Sequence, residues 1–160
     1  MQHLNHQNLT ETQRLTLDAA EKVMQLAYNP YSHFYVGAAV LAKNGTENRI
    51  ISGSNVENAA YGSAICAERA AVVSANALGI RVFEKVAIIA RGANFDTTKI
   101  TGPCGECRQV LYEFAQISGV NLEIVMSTTK KDQIVVATIE ELLPFAFGPL
   151  DLGIDIEKYR

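Results

Sequence analysis

The 160-residue sequence has no tryptophan, three cysteines, three histidines and four prolines. It has no apolar run near the roughly 18 residues that cross a membrane, which argues against an integral membrane protein. Positive charge is scarce as well: 14 Lys and Arg stand against 17 Asp and Glu, a net charge of −3, and the cations are scattered. The basic stripe by which a nucleic-acid binder is usually recognised is therefore missing. The opening residues, Met1 to His6, are polar and lack the apolar segment of a signal peptide. An odd number of cysteines, two of them in a C-x-x-C pair, favours metal ligation over structural disulfides. A reducing cytoplasm is the expected location. The length predicts one domain over residues 1–160, with 1–8 as a flexible tail and 153–160 as a C-terminal tail.

What is present is ordered like an α/β protein. Thr10-Glu11-Thr12-Gln13 resembles a capping box, opening a helix to about Tyr28 with Leu15, Ala19, Val23 and Leu26 on one face. Asn29-Pro30 stops it. Phe34 to Lys43 and Arg49 to Val56 read as antiparallel strands around an Asn44-Gly45 turn. A helix follows from about Ala64 to Leu78, then a buried strand from Val82 to Ala90. A polar loop leads to a helix from Cys104 to Ile117, strands at Leu122–Met126 and Ile134–Ala137, and a short helix opened by Thr138. The order αββαβαββα predicts a three-layer α/β/α sandwich around a mixed five-stranded sheet. The helix at 64–78 is rich in alanine, which close packing explains, either inside the domain or between subunits.

All three cysteines fall in two segments, Cys66-Ala67-Glu68 and Pro103-Cys104-Gly105-Glu106-Cys107. Three thiolates can take three corners of a tetrahedral Zn²⁺ and leave the fourth to water, as a catalytic site requires. Glu68 is the right kind of group to move protons to and from that water. Both motifs open predicted helices, where free N–H groups and the helix dipole offset the thiolate charge. Arg69 and Arg108, three and four residues after a cysteine, are placed to tune that charge further. Residues i and i+2 point about 200° apart in mid-helix, so Cys66 and Glu68 can share a pocket only in a first turn. A structural zinc knuckle or a redox pair would use the same C-x-x-C. A closed structural site, though, needs a fourth Cys or His, and only His3, His6 and His33 are on offer. Two of these lie in the expected tail and one at a strand start. An absent fourth ligand is what an open site predicts.

The two segments match the zinc-deaminase signature, in the form with Cys as first ligand. Around them, Asn29-Pro30-Tyr31-Ser32, Phe34, Val36-Gly37-Ala38, Asn55-Val56-Glu57-Asn58, Tyr61-Gly62, Arg108-Gln109-Val110-Leu111, Leu142-Leu143-Pro144 and Phe147-Gly148-Pro149 follow in order. From about Leu26 to Leu152 the chain resembles the free-nucleoside cytidine deaminases of the homotetrameric, three-cysteine type. The resemblance implies one Zn²⁺ per subunit on Cys66, Cys104 and Cys107, with Glu68 as proton shuttle. The implied reaction is hydrolytic deamination of cytidine and deoxycytidine to uridine and deoxyuridine plus ammonia, a step of pyrimidine salvage. It also implies that Asn55 and Glu57 hold the ribose, that Phe34 forms an aromatic wall, and that the Ala67 backbone meets the pyrimidine edge. Tyr61 and Phe147 resemble residues lent to a neighbouring subunit's pocket, so a homotetramer with shared sites is expected. Spacing supports the ribose pair independently, since i and i+2 on a strand share a face, with Val56 turned to the core. His33, Tyr35 and Phe145 depart from the family pattern.

Two other deaminases would share the zinc chemistry. One acting on cytosine in nucleic acid would want basic surface and usually His as first ligand. One acting on a nucleoside-like antibiotic should lose the Asn55/Glu57 pair. A non-catalytic zinc-stabilised interaction domain would have no use for Glu68.

Overall fold

The computed structural model describes residues 1–44 and 47–160. The expected Asn44-Gly45 turn therefore lies partly outside the described residues. Besides short 3-10 turns, six strands and four α-helices follow in order among the described residues: β1 (Gln2–Leu4), α1 (Glu11–Met24), β2 (Phe34–Asn44), β3 (Glu47–Ser54), α2 (Ala67–Ala77), β4 (Val82–Gly92), α3 (Gly105–Ser118), β5 (Glu123–Ser127), β6 (Ile134–Thr138) and α4 (Ile139–Leu142). They build a mixed sheet of order β1-β6-β5-β4-β2-β3 in which only β4 and β5 run parallel. The three-layer α/β/α architecture is the expected one. The sheet has six strands rather than five, because Gln2–Leu4, read from sequence as tail, pairs with Ile134–Val136. Three residues of mixed polarity carry too little periodicity to announce a strand.

Strict alternation along the central strands explains the layering. Val40, Val86, Ile88, Ile124 and Met126 point to the face covered by α2 and α3. Ala39, Ala87, Ile89 and Val125 point to the opposite face, beneath α1. Both faces are buried, so these strands read as nearly continuous apolar runs.

Helix α1 begins at the capping box, with Thr10 as N-cap and Gln13 returning to the Thr10 N–H. Its buried stripe, however, is Gln13, Thr16, Leu17, Ala20 and Met24, while Leu15 and Leu26 are exposed. Hydrophobicity alone pointed to the wrong face. Thr16 becomes compatible with burial by donating its hydroxyl to the Thr12 carbonyl, and Gln13 by donating to Glu123. Small residues decide the orientation, since the α1 backbone at Ala20 and Met24 lies directly on Gly37. The helix also ends at Met24 rather than Tyr28. Tyr28 instead bridges Val56, tying the Asn29–Ser32 loop to the end of β3.

Candidate active site

The three cysteines meet at the N-termini of two helices. Cys66 is the N-cap of α2 and Cys104 the N-cap of α3, and neither thiol caps its own helix. Glu68 therefore sits in the first turn, as the two-residue spacing required, although α2 starts at Ala67 rather than Ala64. Cys107 is the third residue of α3 and fully buried. N-cap and third residue face each other across a first helical turn, the geometry a capping box exploits. The C-x-x-C spacing thus places both thiols over one helix end.

Cys66 Sγ lies 4.0 Å from Cys104 Sγ, and all three sulfurs lie within 4.8 Å of one another. Three sulfur ligands of a tetrahedral zinc, each about 2.3 Å from the metal, stand roughly 3.8 Å apart. The donor set fits Zn²⁺. Arg69 gives a second sign. Its Nη2 donates to the Ala64 carbonyl and its Nη1 pairs with Glu106 at 3.2 Å. Its Nε is buried with no hydrogen-bond partner among the described residues, on a guanidinium within electrostatic reach of Cys66 and Cys107. Soft anionic sulfur is what such a donor can serve.

The neighbouring thiols shift one another in opposite directions. A hydrogen bond from Cys107 draws the Cys66 thiol down to about 6, with Cys104 and Arg69 assisting against the cost of burial. Cys107, the donor in that pair and itself buried, is pushed up. Glu68 is only 4% exposed. Burial first, and the charge of Cys66 next, raise its carboxyl above the usual range. A carboxyl with its proton affinity raised in this way is better able to hold a proton it has taken and pass it on.

These groups open onto a cavity of about 330 Å³ lined by Cys66, Ala67, Glu68 and Cys104 on one side and by Phe34, Asn55 and Glu57 on another. Asn55 is fixed from behind: Oδ1 accepts from the Val36 N–H at 2.8 Å and Nδ2 donates to the Phe34 carbonyl at 3.0 Å. Glu57 Oε2 accepts from the Tyr31 N–H at 2.9 Å and the Ser32 N–H at 3.2 Å. The Ser32 hydroxyl and those N–H groups hold its carboxyl below the usual value.

A family model described as the cytidine and deoxycytidylate deaminase zinc-binding region matches residues 10–123. The chain belongs to that family.

The chain is 41% identical to a cytidine deaminase from Sporosarcina psychrophila over 87% of its own length and 93% of the relative's. A probable cytidine deaminase from Dictyostelium discoideum is 38% identical over 85% of this chain and 84% of that one. Among solved structures, a cytidine deaminase from Burkholderia pseudomallei superposes with TM-score 0.73 at 37% identity, covering 87% of this chain and all of the other.

Membership of the deaminase family frames the remaining site residues. Asn55 and Glu57 share the cavity but lie beyond the end of β3, and Val56 between them is 44% exposed instead of turned to the core. Its backbone bridges Ile65 and Tyr28, which pins the pair without a continuous strand. Arg108, expected to tune the thiolates, donates its Nε to the Pro103 carbonyl and its Nη1 to the Leu142 carbonyl. It braces the loop before Cys104 against α4. Tyr61 and Phe147 are exposed and lie off this cavity; Phe147 borders a separate one of about 560 Å³ beside Phe114 and Pro149. Sequence reasoning missed the Tyr31 and Ser32 N–H groups that orient Glu57, and the Arg69–Glu106 pair. It also missed Gly53, against whose Cα the backbone of α2 packs.

Proposed function

We propose that this chain is a zinc-dependent enzyme that hydrolyses cytidine, and deoxycytidine with it, to the uridine product and ammonia. The observation that carries the proposal is the single cavity that joins Cys66, Cys104 and Glu68 to Asn55, Glu57 and Phe34. Its size suits one small molecule. Cys66, Cys104 and Cys107 would hold the ion. When bound, Zn²⁺ lowers the pKa of a water toward neutrality and so supplies a nucleophile at working pH.

The chain's own residues do the rest. Glu68 takes the proton of the attacking water and delivers it to N3 of the cytosine ring, which makes C4 electrophilic. It then passes the hydroxyl proton to the departing amine, and ammonia leaves. Its raised affinity for a proton suits both halves of this cycle. Asn55 keeps a second lone pair on Oδ1 and a second hydrogen on Nδ2, enough for one ribose hydroxyl. Glu57, oriented through Oε2, offers Oε1 to another. Phe34 supplies an apolar wall, and the N–H groups at the start of α2, where Ala67 lies, meet the pyrimidine's polar edge.

The same reading makes the protein a cytoplasmic enzyme of pyrimidine salvage and a homotetramer with shared sites. Exposed Tyr61 and Phe147, and the exposed apolar Val73 on α2 and Leu78 just after it, support a subunit interface. Much of the alanine content of α2, by contrast, serves the domain itself, since Ala67, Ala71 and Ala75 are buried. Turnover of cytidine, deoxycytidine and a cytosine in single-stranded DNA, followed by ammonia release, tests the proposal. Release from the free nucleosides alone is expected. Preference for the polynucleotide would refute it.

A further inference from the structure

One aromatic side chain outside the zinc cavity stands beside its wall residue Phe34. Phe34 opens β2 and pairs across the sheet with Gly92, the last residue of β4. Paired residues project their side chains to the same face. Glycine has none, and the space beside Phe34 is taken by Phe95, whose ring lies directly against the Gly92 Cα. A Cβ built on Gly92 would stand 2.5 Å from Phe95 Cζ and closer still to two other ring carbons. The ring of Phe95 sits 6.4 Å from that of Phe34, inclined by 33°. An aromatic ring covering a strand glycine is a recognised packing device. Here the covered glycine is the partner of a wall residue.

Phe95 is 62% exposed, yet its loop is pinned at several points. The Gly92 N–H donates to the Phe95 carbonyl at 2.9 Å, and the Ala93 N–H to the His33 carbonyl at 2.9 Å. Arg91 bridges Asp96, and the Thr97 N–H donates to Thr129 at 2.8 Å. A large apolar ring held in water by a fixed loop, packed on Gly92 and beside a substrate-wall residue, is poorly explained by core packing.

We propose that Phe95 is a positioning residue for the nucleoside: it backs Phe34 and fixes the wall against which the substrate lies. This rests on the reading of the cavity as a cytidine site. Phe95 touches none of the reacting atoms, so its loss weakens substrate binding and leaves the chemical step intact. One aromatic pair is worth roughly a 3- to 10-fold change in binding.

The test is a double-mutant cycle on the zinc-loaded protein, with KM and kcat for cytidine and the equilibrium Kd of cytidine or uridine by calorimetry. Phe95→Ala is expected to raise KM and Kd about 3- to 10-fold with kcat within twofold, and Phe95→Tyr to restore wild-type values. Gly92→Ala, whose new methyl displaces the Phe95 ring, is expected to raise KM similarly. In the double variant the clash is gone, so its KM should match that of Phe95→Ala alone. An unchanged KM and Kd in Phe95→Ala, or equal multiplication of the two single effects, overturns the proposal, as does a fall in melting temperature and kcat with KM constant. Wild-type protein that binds cytidine without releasing ammonia would refute the proposed reaction but leave the Kd cycle to decide on Phe95. Protein that does neither would refute both.

Discussion

Gly53→Ala reaches the zinc site from behind. Gly53 lies near the end of β3, where α2 crosses it with no side chain between them. A methyl there would stand 2.7 Å from the Ala70 carbonyl carbon and 2.8 Å from the Ala67 oxygen, with the Ala71 nitrogen nearer still. All three are helix backbone, so no rotamer change relieves the clash. Ordinary contact begins near 3.4 Å, and α2 has to retreat by roughly 1 Å, at a cost of about 1–3 kcal/mol. For a domain of this size that lowers Tm by roughly 3–10 °C. Cys66 and Glu68 ride on the displaced helix, and a 1 Å misplacement of reacting groups is worth about 10²-fold in rate. Gly37→Ala is the matched comparison. It forces α1 off β2 by a similar clash with Ala20 and Met24, but α1 carries no zinc ligand. Thermal melts, zinc content and kcat on cytidine should show both variants destabilised and only Gly53→Ala losing most of its turnover. Gly53→Ala with wild-type Tm and kcat would refute the packing argument. Equal kcat losses in both variants would refute the claim that α2 transmits the effect.

Glu68→Gln keeps the shape of the buried side chain but cannot shuttle protons. It should fold, retain zinc and lose at least 10²–10⁴-fold in kcat, as read by ultraviolet assay. Glu57→Gln should raise KM for cytidine far more than it lowers kcat. Because its folded pKa lies below the usual 4.5, wild-type nucleoside affinity should hold down to that pH and fail only beneath it, as binding titrations would show. Lys131 bridges Asp18 at 2.7 Å and Glu21 at 2.8 Å, joining the β5–β6 turn to α1. Partial burial works against its charge, but the two carboxylates outweigh this and raise its pKa above 10.5. The stabilisation is then fully present at neutral pH and lost as pH rises through the folded pKa. Lys131→Met should cost about 1 kcal/mol at neutral pH, a deficit that vanishes in strongly alkaline solution when melts are compared.

Most of the site was legible because its spacing follows backbone geometry. Cys66 with Glu68, and Cys104 with Cys107, sit at first-turn positions that only a helix start can bring together, and the sequence marks helix starts. The nearly continuous apolar runs of β2 and β4 were legible as strands from their length and the turn residues that bound them. The orientation of α1 was not, because it depends on Gly37 admitting a helix backbone and on two polar residues finding partners in the interior. Val56 likewise lies outside any regular strand, so a period-two pattern assigned its side chain to the wrong side. Arg108 had the offset of a charge-tuning residue, yet its place is set by the carbonyls of Pro103 and Leu142, and the latter is remote in sequence. The first strand, three residues long, forms only because β6 offers a free edge.

Zinc dependence of turnover tests the central claim most directly. Purified protein stripped by a chelator and reloaded with measured amounts of Zn²⁺ would be assayed for ammonia release from cytidine. Activity should be absent without metal and rise in proportion to bound zinc, reaching its plateau at one ion per chain. Undiminished deamination by the metal-free protein, or none from the fully loaded one, would contradict the account.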